Sequence, residues 1–162
     1  MKIYNKYLKK SYMTRSGEKL KEVKYVVIHS ALEKNDVKEE IEKINSLRLQ
    51  DEIYYSVHYI IGKDGKCINI IPEDEVTYST NNIELNYSII SIACCYEKES
   101  GEFNDKTIET LIKLLSNLKE KYNLLNFDIL LHYDLTGTRC PKFYVDNKFK
   151  FYDILDKVND IK

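Results

Sequence analysis

No run of apolar residues in the 162-residue chain approaches the ~20 that cross a bilayer, so an integral membrane protein is not expected. Residues 1–20 are interrupted throughout by Lys, Asn, Ser, Arg and Glu and offer no apolar core for a signal peptide, which predicts a cytoplasmic location on synthesis. The four cysteines, Cys67, Cys94, Cys95 and Cys140, are irregularly spaced and form no CxxC pair, so no disulfide framework is expected. The first three fall in strand-like stretches, where a buried thiol packs as a small hydrophobe. Nor is there an excess of charge. With 25 basic against 26 acidic side chains and no dense basic and aromatic cluster, nucleic-acid binding is not expected. Repeats and low-complexity linkers are absent as well. What remains, 43% apolar and 31% charged residues, is the composition of a globular chain, and its length suits one domain with one core.

Charge is nevertheless unevenly placed. Up to Lys24, the cations Lys2, Lys6, Lys9, Lys10, Arg15, Lys19 and Lys21 meet only Glu18 and Glu22, which sets off residues 1–23 as a basic leading segment before a domain spanning residues 24–162. Such a segment is either drawn to an anionic surface or solvated as an arm.

Tyr25-Val26-Val27-Ile28-His29 is a β-branched and aromatic run that reads as a buried strand, with His29 at its end. Asp36 can cap a helix running to about Leu49, because Val37, Ile41, Ile44 and Leu47 form one stripe at three- and four-residue spacing. Tyr54 to Ile61 and Cys67 to Ile71 read as antiparallel strands joined by the Asp64-Gly65 turn, the second closed by Pro72. Residues 73–87 are polar and irregular, the composition of a long surface loop, and loops of that length often carry function. Ser88 to Tyr96 is strand-like, Thr107 to Tyr122 reads as the longest helix, Phe127 to Leu131 as a short strand and residues 147–159 as a closing helix. This order predicts an α/β (mixed) fold with a central mixed β-sheet flanked by α-helices.

Only three histidines occur, and two of them, His29 and His132, end or directly follow strand-like runs. Strand ends place side chains at the rim of a sheet, where a site can form. Cys140 follows across the turn-prone segment Asp134-Leu135-Thr136-Gly137-Thr138-Arg139. Two imidazoles and a thiolate suit Zn²⁺, and three protein ligands leave the fourth tetrahedral position open, the mark of a catalytic site. Spacing alone is also compatible with three unconnected residues.

Val26-Val27-Ile28-His29-Ser30, Ser56-Val57-His58-Tyr59-Ile60-Ile61-Gly62-Lys63-Asp64-Gly65, Ile71-Pro72-Glu73-Asp74-Glu75, Asn86-Tyr87-Ser88-Ile89 and His132-Tyr133-Asp134-Leu135-Thr136-Gly137-Thr138-Arg139-Cys140-Pro141 follow one another along the chain. In that order they resemble the type 2 N-acetylmuramoyl-L-alanine amidases, a family that includes phage endolysins, bacterial autolysins and peptidoglycan recognition proteins. The resemblance runs from about Lys24 to Tyr144, and the block from His132 to Pro141 is its most specific part. It implies Zn²⁺ as cofactor, His29, His132 and Cys140 as its ligands, and hydrolysis of the lactyl–alanine amide in bacterial peptidoglycan. A cytoplasmic protein of this kind would act on the wall after release, and an anionic wall polymer is a candidate partner for the basic leading segment.

The same resemblance marks departures. Many members carry a catalytic Glu where this chain has Ala93, others a Tyr where it has Val57, and a Lys that stabilises the oxyanion is replaced by Thr138. In the family the residue before the third histidine faces the cleft. Strand alternation would then put 55, 57 and 59 on one face and turn His58 away as a structural residue. Tyr55, which shares that parity, and Thr138 become the candidate catalytic residues, although Tyr55 could equally pack on the sheet. Substrate specificity would lie in the loop 73–87, with Tyr78 and Ser79 as candidate contacts. The alternative is a zinc-bearing module that binds peptidoglycan with weak or no cleavage.

Overall fold

The computed structural model describes residues 1–50 and 53–161. Six strands, β1 (Ile3–Asn5), β2 (Tyr25–Ser30), β3 (Tyr59–Ile61), β4 (Cys67–Asn69), β5 (Ile89–Cys94) and β6 (Ile129–Leu131), form one sheet in the order β1-β4-β3-β5-β2-β6. The β3–β4 pair is antiparallel and every other pairing is parallel, so the sheet is mixed, as expected.

Alternation along the strands splits the apolar residues between two cores. Val26, Ile28, Tyr59, Ile61, Ile90 and Ile92 face helix α3 (Asp105–Lys121) and the closing helix (Lys148–Asp160), whose Leu111, Leu115, Phe151 and Ile154 close that side. On the other face Ile60, Ile68 and Ala93 pack with Ile44 of helix α1 (Val37–Ser46). Helix α1 starts in a capping box, in which Asp36 accepts from the Glu39 N–H and the Glu39 carboxylate accepts from the Asp36 N–H. Helix α3 starts on Asn104, which accepts from the Thr107 N–H at 2.9 Å. No helix among the described residues is long and apolar enough to cross a membrane.

Three expectations are corrected. The strand expected from Tyr54 begins only at Tyr59, because the chain bends at His58, and alternation does not run through the bend. Val57 therefore packs in the same core as Ile60, whereas Tyr59 belongs to the opposite core. The expected surface loop 73–87 is only partly on the surface: Glu75, Val76, Thr77, Ser79 and Thr80 are buried, residues 81–84 are exposed, and a short helix α2 (Ile83–Asn86) lies within it. The leading segment, with its Lys-rich composition, showed no strand pattern, yet β1 pairs in parallel with β4 and Leu8, Met13 and Thr14 are buried. Arg15 fixes that segment by donating to both Glu75 carboxylate oxygens, at 3.0 and 2.9 Å, and to the Leu8 carbonyl at 2.8 Å.

Candidate functional site

The parallel strands β5, β2 and β6 end side by side. Ile28 is in register with Leu131 and His29 with Ala93, so His132, the residue after β6, emerges beside His29. His29 points to the α1 face because Val26 and Ile28 take the other one. Its ring lies 4.5 Å from that of His132, centroid to centroid. His132 opens a short helix α4 (His132–Thr136), whose first turn is capped by Asp134 accepting from the Leu131 N–H at 2.9 Å. Gly137 ends it with φ of 76°, a left-handed conformation that glycine adopts without strain. The loop then returns, and the Tyr133 N–H donates to the Cys140 carbonyl at 3.0 Å, which brings Cys140 back to the two histidines.

One donor atom from each of His29, His132 and Cys140 lies within 4.8 Å of the others. His29 Nε2 and His132 Nδ1 are buried without a hydrogen-bond partner. A buried polar atom left unsatisfied costs on the order of 1–3 kcal/mol, so two at one spot call for a ligand. Burial pushes the His29 pKa down to about 3, with His132 adding to the effect, and burial also lowers His132. Both rings are thus neutral near pH 7 and offer lone pairs. Burial raises the Cys140 thiol, partly offset by hydrogen bonding with Ser30. Two neutral imidazoles and a cysteine fit zinc, and a cation among them would favour the thiolate. Cys67, Cys94 and Cys95 are buried free thiols in the core and take no part.

A cleft of about 390 Å³ opens over the three donors and is lined also by Tyr55, Thr138 and Lys142. Tyr55 is half-buried and meets His29 edge to face, with centroids 6.4 Å apart. Burial raises its phenol well above the usual value, with Glu40 and Cys140 acting in the same sense, so the hydroxyl keeps its proton. Thr138 is exposed at the rim, and its Oγ1 lies 3.0 Å from that of Thr136. Tyr55 and Val57 share one face as their parity predicts, and Ala93 belongs to it too, while the bend at His58 puts Ile60 rather than Tyr59 on that face. Val57 and Ala93 are fully buried.

Two sequence-derived candidates are not brought into the cleft. Ser79 is buried with its hydroxyl 2.5 Å from that of Ser91, and Tyr78 lines a separate hollow of about 620 Å³ beside Tyr54. His58 is structural in its geometry. Its Nδ1 accepts from the Ser91 N–H at 3.0 Å, which leaves the proton on Nε2 to donate to the Glu75 carbonyl at 2.8 Å. Glu40 was missed by sequence reading. It is fully buried, and its carboxylate accepts from the Leu32 N–H at 2.9 Å and from the Asn35 amide at 2.8 Å, holding the loop that follows β2. A signal existed, since Glu40 falls between Val37, Ile41 and Ile44 on the apolar stripe of α1.

Residues 19–143 match the family described as N-acetylmuramoyl-L-alanine amidase. The N-acetylmuramoyl-L-alanine amidase BlyA of Bacillus subtilis (strain 168) is 30% identical over 173 aligned positions, covering 95% of this chain and 46% of the relative. The chain spans about half the length of the curated relatives it matches. Among solved structures, PlyL superimposes with a TM-score of 0.80 at 21% identity, over 98% of this chain and 97% of that one. The N-acetylmuramoyl-L-alanine amidase LysC from Clostridium intestinale URNW does so with 0.73 at 24% identity, over 98% of each. These likenesses establish a shared fold.

Proposed function

Because the chain belongs to the N-acetylmuramoyl-L-alanine amidase family through residues 19–143, we propose that it is a zinc-dependent N-acetylmuramoyl-L-alanine amidase. Its substrate is the amide between the lactyl group of N-acetylmuramic acid and L-alanine in bacterial peptidoglycan. The observation that carries this reading is the convergence of His29, His132 and Cys140 with two unpartnered imidazole nitrogens. These three residues would hold Zn²⁺. When bound, zinc supplies Lewis acidity that polarises an amide carbonyl and acidifies water.

The remaining chemistry falls to the chain's own groups. Tyr55 lines the cleft with a protonated hydroxyl and would donate that proton to the leaving nitrogen of L-alanine. Thr138 can donate a hydrogen bond to the oxyanion from the rim. Ala93 and Val57 lie in the core behind the cleft and carry no group that could move a proton. All of these lie within residues 24–162, which we assign as the catalytic unit, with residues 1–23 packed against it. Lys2, Lys6, Lys9 and Lys10 are exposed, and none is ion-paired with an acid among the described residues, which supports attraction to an anionic wall polymer.

One observation favours a second reading. Ala93 stands in register with His29, where a carboxylate would reach the site, so the chain has no acid there and could serve as a peptidoglycan-binding module with weak cleavage. Incubating the zinc-loaded protein with purified sacculi separates the two: new L-alanine amino termini at an enzymatic rate support the amidase, and binding without them supports the module.

A further inference from the structure

Three cations and two carboxylates gather on one side of the cleft. Glu99 is ion-paired with Lys34, and Asp146 with Arg139. Each carboxylate is held below its usual pKa first by its own partner, and Lys142 adds a smaller lowering to both. Lys142 therefore sits within the field of both acids, yet it makes no ion pair or hydrogen bond among the described residues. Among those residues, Lys142 is the cation of the three that has no acid paired to it, and its side chain lines the cleft with His29, Tyr55 and Cys140. Arg139 lines the same cleft, but its guanidinium is engaged by Asp146 through two hydrogen bonds.

The stem of Lys142 has a seat. A Cβ at Gly101 would lie 3.2 Å from Lys142 Cε and 3.3 Å from Lys142 Cγ, so the missing side chain is what lets the lysine lie down at this point. Gly101 has φ of 86°, a conformation that also favours glycine. The lysine is half-buried. Its stem is consequently less free to wander than that of a fully exposed lysine.

We propose that Lys142 is a specificity-determining residue that binds a substrate carboxylate close to the scissile amide, so that the enzyme prefers stem peptides whose second residue carries a free α-carboxylate over those in which it is a carboxamide. The inference rests on the amidase reading. At a half-open rim an ammonium–carboxylate hydrogen bond contributes about 1.4 kcal/mol. That corresponds to a preference of roughly tenfold.

The test uses the zinc-loaded full chain and two probes, N-acetylmuramoyl-L-alanyl-D-isoglutamate and its D-isoglutamine counterpart. The wild type should show a kcat/KM ratio of roughly tenfold in favour of the carboxylate, expressed in KM. Lys142→Met, which keeps the stem on Gly101, should bring the ratio to one, and Lys142→Arg should retain it. Lys142→Gln serves the same purpose as the methionine variant if that one fails to fold. Equal kcat/KM values in the wild type, or a ratio that survives loss of the charge, would overturn the assignment. If neither probe is cleaved, the amidase reading fails, and calorimetric affinities for the two probes then decide on Lys142 by the same ratios.

Discussion

Replacing Arg15 by Met should destabilise the protein by about 3 kcal/mol, although the residue lies in a segment whose composition is that of a solvated arm. The magnitude follows from what is left behind. The guanidinium and the Glu75 carboxylate are only 16% and 5% exposed, and they meet through two near-parallel hydrogen bonds. Removing one member of a buried pair strands the other charge, which costs roughly 3–5 kcal/mol, whereas removing both is often close to neutral. The third hydrogen bond, to the Leu8 carbonyl, ties the leading segment to the same point. Glu75 also presents its carbonyl to His58, so disorder there would spread toward β5. At this chain length a loss of that size lowers the melting temperature by roughly 10 °C. Urea denaturation should show the full loss in Arg15→Met and a partial recovery in Arg15→Met/Glu75→Gln, where no charge is stranded. A loss under about 1 kcal/mol in the single variant would refute the reasoning and return the segment to the status of an arm.

The remaining predictions concern the site, pH and salt. Tyr55→Phe should cut turnover by at least ~100-fold with zinc content intact, and Ala93→Glu should raise the rate of the wild type; a neutral Tyr55→Phe on a fast enzyme would remove Tyr55 from the mechanism. Burial pushes the His58 pKa down to about 4, against the raising effects of its hydrogen bond to Glu75 and of Glu73, Glu75 and Asp74 nearby. A depressed folded-state value contributes stability that is present above pH ~6.5 and lost as pH falls toward about 4, by up to about 3 kcal/mol, so an NMR titration of the His58 ring with a midpoint of 6 or higher would contradict the assignment. Changing Lys2, Lys6, Lys9 and Lys10 to Gln should weaken retention on sacculi at low salt, with the difference gone at ~1 M salt, where the Debye length is ~3 Å; unchanged retention at low salt would dismiss the polymer contact.

Much of the fold was legible because its central elements obey local rules. Tyr25 to His29 and Ser88 to Tyr96 are strand-like runs built around β-branched residues, and both became parallel strands buried on two faces. The stripe from Ile108 to Leu118 became α3. The convergence of His29, His132 and Cys140 was suggested by the family's order of motifs rather than by spacing, since only the fold shows that Ile28 and Leu131 are neighbours. What failed did so for non-local reasons. Strand β1 has three residues and exists because β4 offers it an open edge, which no local pattern announces. The stretch from Glu75 to Thr80 is polar yet mostly buried, because its hydroxyls pair with Ser91 and with the amide of Asn86. Lys142 escaped notice because its meaning lies in the ion pairs of its neighbours.

The account turns on His29, His132 and Cys140 holding one metal, and metal analysis after zinc reconstitution tests it most directly. The wild type should bind one zinc per chain, and His29→Ala and Cys140→Ala should each lose most of it while His58→Asn keeps it. Stoichiometric zinc retained by His29→Ala/Cys140→Ala, or lost with Cys94 and Cys95 instead, would contradict the account.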